Sequence, residues 1–168
     1  DCLIMLAFYS TCMRLSELTC LALDDVDCKQ SQVRVTGKRN KQRVIPFGSE
    51  MMSSIHSYLA MRHAMLMEKG FVSNWFFVSE KSGGRMPDSK VRQIVQAYLG
   101  RVTTLRKKSP HVLRHSFATS MLNHRADLQS VKELLGHERL STTEIYTHTT
   151  FEELKDMYNQ SPPTPPKK

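Results

Sequence analysis

Val33-Arg34-Val35-Thr36-Gly37-Lys38-Arg39-Asn40-Lys41-Gln42-Arg43-Val44-Ile45 is the stretch on which the fold turns. It sets a β signal inside a chain otherwise patterned mainly for helices. Two short runs with β-branched residues at alternating positions flank Gly37 to Lys41, a basic segment that opens with glycine. The pattern reads as an antiparallel hairpin with a cationic tip, and it presents Lys38 on a mobile turn.

Toward the N-terminus, residues 2–12 are apolar enough for a buried helix. Arg14 falls where that run breaks, before a second helical stretch from Ser16 to Leu21, and so lies near a helix–helix junction. Toward the C-terminus, apolar residues recur at Met52, Ile55, Leu59 and Leu66, spacing that predicts a long amphipathic helix from Ser49 to Lys69 closed by Gly70. Trp75-Phe76-Phe77-Val78 reads as a short strand and Gly83-Gly84 as a turn. Asp88 reads as the N-cap of a helix that buries Val91, Ile94, Val95, Tyr98 and Leu99. The expected fold class is mainly α with a small antiparallel β-hairpin or three-stranded sheet.

Ser109-Pro110 is a helix start, with serine as N-cap and proline where its missing N–H costs nothing. His111 and Arg114 then share one face beside the positive end of the helix dipole, where an anion is favoured. Asp127 caps a further helix through Val131 and Leu135, and Gly136 stops it just before His137. Ser141-Thr142-Thr143-Glu144 matches a capping box and opens the helix that carries Tyr146. Phe151, Leu154 and Tyr158 give the next segment an amphipathic face. Residues 159–168, rich in Pro and Lys, read as a disordered tail.

The 168 residues carry 24 Lys and Arg against 16 Asp and Glu, a formal charge of +8, with 40% apolar residues. One domain with a real core and a polyanionic partner is the expectation, nucleic acid being the commonest such partner. No apolar run approaches the about 20 residues that cross a bilayer, which argues against a membrane-spanning role. Cys2, Cys12, Cys20 and Cys28 include no CxxC pair and no matched second pair. They read as free buried thiols in a reducing, cytoplasmic compartment. The chain opens at Asp1 directly into apolar sequence, so a preceding segment is expected.

Chemistry is concentrated in Arg14, Lys38, His111, Arg114 and His137, five cationic or proton-carrying residues that precede Tyr146. A phosphodiester repels nucleophiles, and its transition state spreads more negative charge over the non-bridging oxygens, so fixed cationic donors suit it. Guanidinium groups grip two phosphate oxygens at once. A phenol with an ordinary pKa of about 10 needs neighbouring cations, or a proton acceptor, to become a nucleophile. The HxxRH at 111–115 lacks the acidic residue of a zinc HExxH, and no carboxylate cluster completes a metal site. Helix-turn-helix binding is a rival reading for 127–148, but it leaves Arg14, Lys38 and His111 unexplained.

Five segments then resemble, in order and spacing, the catalytic domain of tyrosine recombinases, with the bacterial Xer subgroup nearest. They are Thr11-Cys12-Met13-Arg14-Leu15-Ser16-Glu17-Leu18, Gly37-Lys38-Arg39-Asn40-Lys41, His111-Val112-Leu113-Arg114-His115, Leu134-Leu135-Gly136-His137 and Ile145-Tyr146-Thr147-His148. The resemblance implies site-specific DNA recombination by residues 1–158, without the family's N-terminal core-binding domain. It implies that Arg14 and Arg114 hold the scissile phosphate, Lys38 protonates the leaving 5′ oxygen and Tyr146 attacks to give a 3′-phosphotyrosyl link. His111 would assist proton transfer and His137 would position the phosphate. Arg39, Lys41, Arg43 and His115 are assigned to DNA contact. No metal or cofactor is implied, because the phosphotyrosyl bond conserves the energy needed to rejoin strands. The implied partners are duplex DNA and further copies of the protein in a DNA-bound tetramer. Cys12 departs from the glycine that many relatives carry there. Type IB topoisomerase-like relaxation and a non-catalytic DNA-binding module remain as alternatives.

Overall fold

The computed structural model describes residues 1–37, 40–102, 109–110 and 114. Helix α1, Cys2–Thr11, buries Leu3, Ile4, Ala7 and Phe8. It ends where Cys12 takes a left-handed conformation, φ 51° and ψ 22°, and returns its N–H to the Phe8 carbonyl. That conformation disfavours side chains with a Cβ, so glycine would occupy this position with less strain than cysteine. After the break, α2 spans Leu15–Thr19 with Arg14 as its N-cap.

A 3-10 turn at Leu23–Asp25 leads into β1, Val26–Asp27, then β2, Gln32–Thr36, and β3, Gln42–Pro46. The three strands form one antiparallel sheet in the order β1-β2-β3. Val33 pairs with Ile45 and Val35 with Arg43, so these four share the inward face. Val33, Val35 and Ile45 are buried, whereas Arg34, Thr36 and Val44 face outward. Pro46 ends β3 on the sheet edge, where its missing N–H is tolerated.

Helix α3, Ser49–Lys69, packs on α1 and closes at Gly70, φ 66°. Helix α4, Asp88–Val102, packs on α2 and buries Val91, Ile94, Val95 and Leu99, with Tyr98 half-buried. The core is one cluster shared by α1, the sheet, α3, α4 and the Phe76-Phe77 pair.

Two expectations need correction. Trp75–Val78 is not a strand: Trp75 bridges Ala22, and Val78 bridges Arg85, as isolated single-residue pairs. Side chains of α3 serve the backbone there instead. Tyr58 Oη donates to the Phe76 carbonyl at 3.0 Å and accepts the Val78 N–H at 3.3 Å. Arg62, 7% exposed, donates to the carbonyls of Ser73 and Trp75. All four cysteines are free thiols, but only Cys12 is buried. Cys2 and Cys20 are exposed because they lie at the ends of α1 and α2, and Cys28 is half-buried in the turn after β1.

Among the described residues no helix is long and apolar enough to cross a membrane. The expected helices around His137 and Tyr146, the amphipathic segment at 151–158 and the tail lie outside the described residues.

Candidate active site

A cleft of about 330 Å³ opens at the break between α1 and α2. Met13, Arg14, Leu15 and Ser16 form one wall, Asp88 and Arg92 of α4 another, and Ser109, Pro110 and Arg114 a third. The backbone at Pro110 and Arg114 is helical, in keeping with the helix start expected at Ser109-Pro110. The two arginines singled out from the sequence thus meet in one cleft although 100 positions separate them.

Arg114 is 4% exposed, and its Nη1 donates to the Cys12 carbonyl at 2.5 Å. Burial first, and the nearby Arg14 charge second, bring its pKa down to about 10 against the opposing pull of Glu17. It remains a cation at neutral pH. Two like charges in a partly dry cleft repel each other, and a bound anion would relieve that repulsion. The Cys12 thiol beside them is pushed up to about 12 by burial, against the opposing pull of Arg114 and Arg43, and stays protonated.

Arg14 is held from below by Glu17. Its backbone N–H donates to Glu17 Oε2 at 2.6 Å and its Nη1 to Oε1 at 2.9 Å. The first of these bonds is the acidic half of a capping box, with Glu17 at N3 of α2. Arg43 reaches the same carboxylate from β3, Nη1 to Oε1 at 2.9 Å and Nη2 to Oε2 at 2.8 Å. Glu17 is 4% exposed. Burial alone would raise its pKa, but the Arg43 hydrogen bonds, the Arg14 N–H and both guanidinium charges outweigh burial and hold it below 4.5.

Gly37, the residue before Lys38, lies against this group. A Cβ built there would meet Glu17 Oε1 at 3.2 Å and Arg14 Nη1 at 3.5 Å. Its N–H donates to the Lys41 carbonyl at 2.8 Å, closing the neck of the hairpin. Lys38 and Arg39 at the tip lie outside the described residues, as do His111, His115, His137 and Tyr146. Among the described residues no three His, Cys, Asp or Glu side chains group as a metal would require.

The structure thus brings Arg14, Arg114, Glu17, Arg43 and Gly37 to one region. Glu17 was not singled out from the sequence, since arginine is not a customary N-cap and Arg14-x-x-Glu17 does not match the usual capping-box pattern. Arg43 was read as a DNA contact. Its place two residues before inward-facing Ile45 was the available signal that it, too, faces inward.

Residues 1–153 match the phage integrase family, and the chain belongs to that family. This is the tyrosine recombinase and integrase family that the motifs resemble. The chain is 44% identical to tyrosine recombinase XerC of Pelotomaculum thermopropionicum, covering 92% of this chain and 51% of that protein. It is 40% identical to XerC of Chlorobaculum parvum, covering 97% and 49%. Solved structures agree. XerA recombinase superposes with a TM-score of 0.68 at 32% identity, covering 94% of this chain and 56% of that one. XerH recombinase bound to difH substrate in a pre-cleavage complex gives 0.72 at 26%, covering 94% and 45%. The chain spans about half the length of the XerC relatives it matches.

Proposed function

We propose that residues 1–158 are the catalytic domain of a site-specific tyrosine recombinase, with 159–168 a tail outside it. The observation that carries this reading is the convergence of Arg14 and Arg114 in one cleft, Arg14 anchored by Glu17 and Arg114 by the Cys12 carbonyl at the break between α1 and α2. Two guanidinium groups in one cleft suit the non-bridging oxygens of one scissile phosphate. Tyr146 attacks that phosphorus to form a 3′-phosphotyrosyl bond as the bond to the 5′ oxygen breaks; its phenolic proton passes to water, and the 5′ oxygen departs with a proton from Lys38. His111 assists the proton transfers and His137 positions the phosphate. Arg39, Lys41 and His115 contact the duplex around the break. A 5′-hydroxyl from a second duplex then reverses the step and rejoins the backbone.

The relatives' names support recombination over simple relaxation of supercoils or an idle binding module. Exchange between two duplexes needs several active sites held together, so duplex DNA and a DNA-bound tetramer of the full-length protein are the partners. The segment from Phe151 to Tyr158 is the proposed contact between protomers.

The test uses full-length protein on a nicked suicide duplex, in which a short strand diffuses away and traps the intermediate. Wild type should form a denaturation-resistant adduct in the presence of EDTA, and Tyr146→Phe should bind DNA without forming one. An adduct that persists in the Phe variant would reassign the nucleophile.

A further inference from the structure

We propose that Arg43 is a positioning residue for the phosphate clamp, acting through Glu17 on Arg14 rather than by touching DNA. The inference rests on the reading of Arg14 as a phosphate ligand.

Register comes first. Arg43 pairs with Val35 and alternates with Ile45, both buried, so β3 directs it inward, beneath the sheet. Its side chain is 16% exposed. Both terminal nitrogens grip both oxygens of Glu17, at 2.9 and 2.8 Å. That fork-on-fork geometry fixes a carboxylate in plane and in rotation, which a single ammonium cannot do. Glu17 in turn takes the backbone N–H and the Nη1 of Arg14. Arg14 is therefore oriented by a carboxylate that is itself oriented from a different element.

The second observation is Gly37. The hairpin neck approaches Glu17 Oε1 so closely that a Cβ would sit 3.2 Å away. Arg43 and Gly37 belong to the same hairpin, and Lys38 follows Gly37 directly. Strand and neck thus fasten the hairpin to the Arg14 loop at one carboxylate. General acid and phosphate clamp are set in register by a shared anchor.

The test separates orientation from phosphate contact in the full-length protein. Binding to a half-site is measured in a Tyr146→Phe background across a salt series, and adduct formation on the suicide substrate in a Tyr146 background. A residue that neutralises a phosphate contributes roughly 0.9 to the slope of log K against log salt. Arg43→Ala should leave that slope unchanged while slowing adduct formation about 10²-fold, the size of effect a small misplacement of a reacting group produces. Combined with Glu17→Ala, it should be no slower than the slower single variant. Arg43→Lys keeps the charge beside Glu17, and so guards against simple loss of folding. It should remain well below wild-type rate, because one ammonium cannot reproduce the fork. A slope reduced by about 0.9, multiplicative losses in the double variant, or full rate in Arg43→Lys would each overturn the proposal. If wild type forms an adduct, such a result sinks only the Arg43 assignment; if wild type forms none, the functional reading fails and this inference with it.

Discussion

Arg114 donates to the main-chain carbonyl of Cys12 across 102 positions of sequence, at 2.5 Å. The contact ties the second arginine of the cleft to the left-handed residue that ends α1, two positions before the first arginine. Both guanidinium groups are therefore referred to the same break in the backbone. A change in how α1 terminates moves the two together.

Because the Arg14 charge disfavours the Arg114 cation beside it, an oxyanion bound in the cleft should stabilise the chain. Inorganic phosphate at about ten times its Kd contributes roughly 1.4 kcal/mol by mass action, a rise of roughly 3–6 °C in Tm for a domain of this size. Differential scanning fluorimetry in phosphate against chloride, at equal ionic strength, reads this directly. Arg114→Ala should abolish the difference. An equal shift in that variant would place the anion elsewhere.

Glu17 should make the fold sensitive to acid. Its carboxyl is held below the ordinary value of 4.5 in the fold, so the stability it contributes is complete above 4.5 and is lost as pH falls through the lowered value. Urea unfolding from about pH 6 down to about pH 3, for wild type and Glu17→Gln, tests the sign. The advantage of wild type should shrink as pH drops below 4.5. A constant gap across the range would mean that Glu17 is not the titrating group.

Cys12 should be chemically silent in the native chain. Its thiol is buried and held protonated with a pKa of about 12, whereas Cys2 and Cys20 are exposed. Iodoacetamide followed by peptide mass mapping should label Cys2 and Cys20 at once and Cys12 only after denaturant is added. The same residue carries a backbone test. Cys12→Val adds a β-branched side chain to a left-handed, fully packed position and should cost about 2–4 kcal/mol. Cys12→Gly relieves about 1 kcal/mol of backbone strain while losing a buried side chain, and should fall within about 1 kcal/mol of wild type.

Arg62 should be the costliest polar residue of α3 to remove. It gives three hydrogen bonds to the carbonyls of Ser73 and Trp75 in an irregular segment. Arg62→Ala is expected to destabilise by roughly 2–4 kcal/mol, measured by urea unfolding. Arg62→Lys should recover only part, since one ammonium does not span both carbonyls. A loss below about 0.5 kcal/mol, the range of ordinary surface substitutions, would show that other contacts hold the segment.

Local patterns in the sequence were enough to place several of these elements. Alternation at Val33, Val35 and Ile45 marks the hairpin, and the spacing of Ile55 and Leu66 with Gly70 behind them marks α3 and its end. Arg14 and Arg114 stood out because guanidinium chemistry suits phosphate, and the structure places both in one cleft. The failures are long-range. Trp75–Val78 has a strand's composition, but Tyr58 and Arg62 satisfy its backbone from a helix, and composition does not record who supplies the partner. Glu17 and Arg43 lie 26 positions apart, so neither reveals by its own neighbours that it is half of a buried pair. The residue types expected to complete the site, from Lys38 to Tyr146, lie outside the described residues.

Gly37 sets a limit on how this hairpin can be altered. Its α-carbon faces a carboxylate held by four donated hydrogen bonds, so the oxygen that an added methyl would strike has little freedom to retreat. A library randomised at position 37 and selected for adduct formation should therefore recover almost only glycine. For anyone redesigning the loop, whatever head it carries must sit on a stem of one permitted gauge.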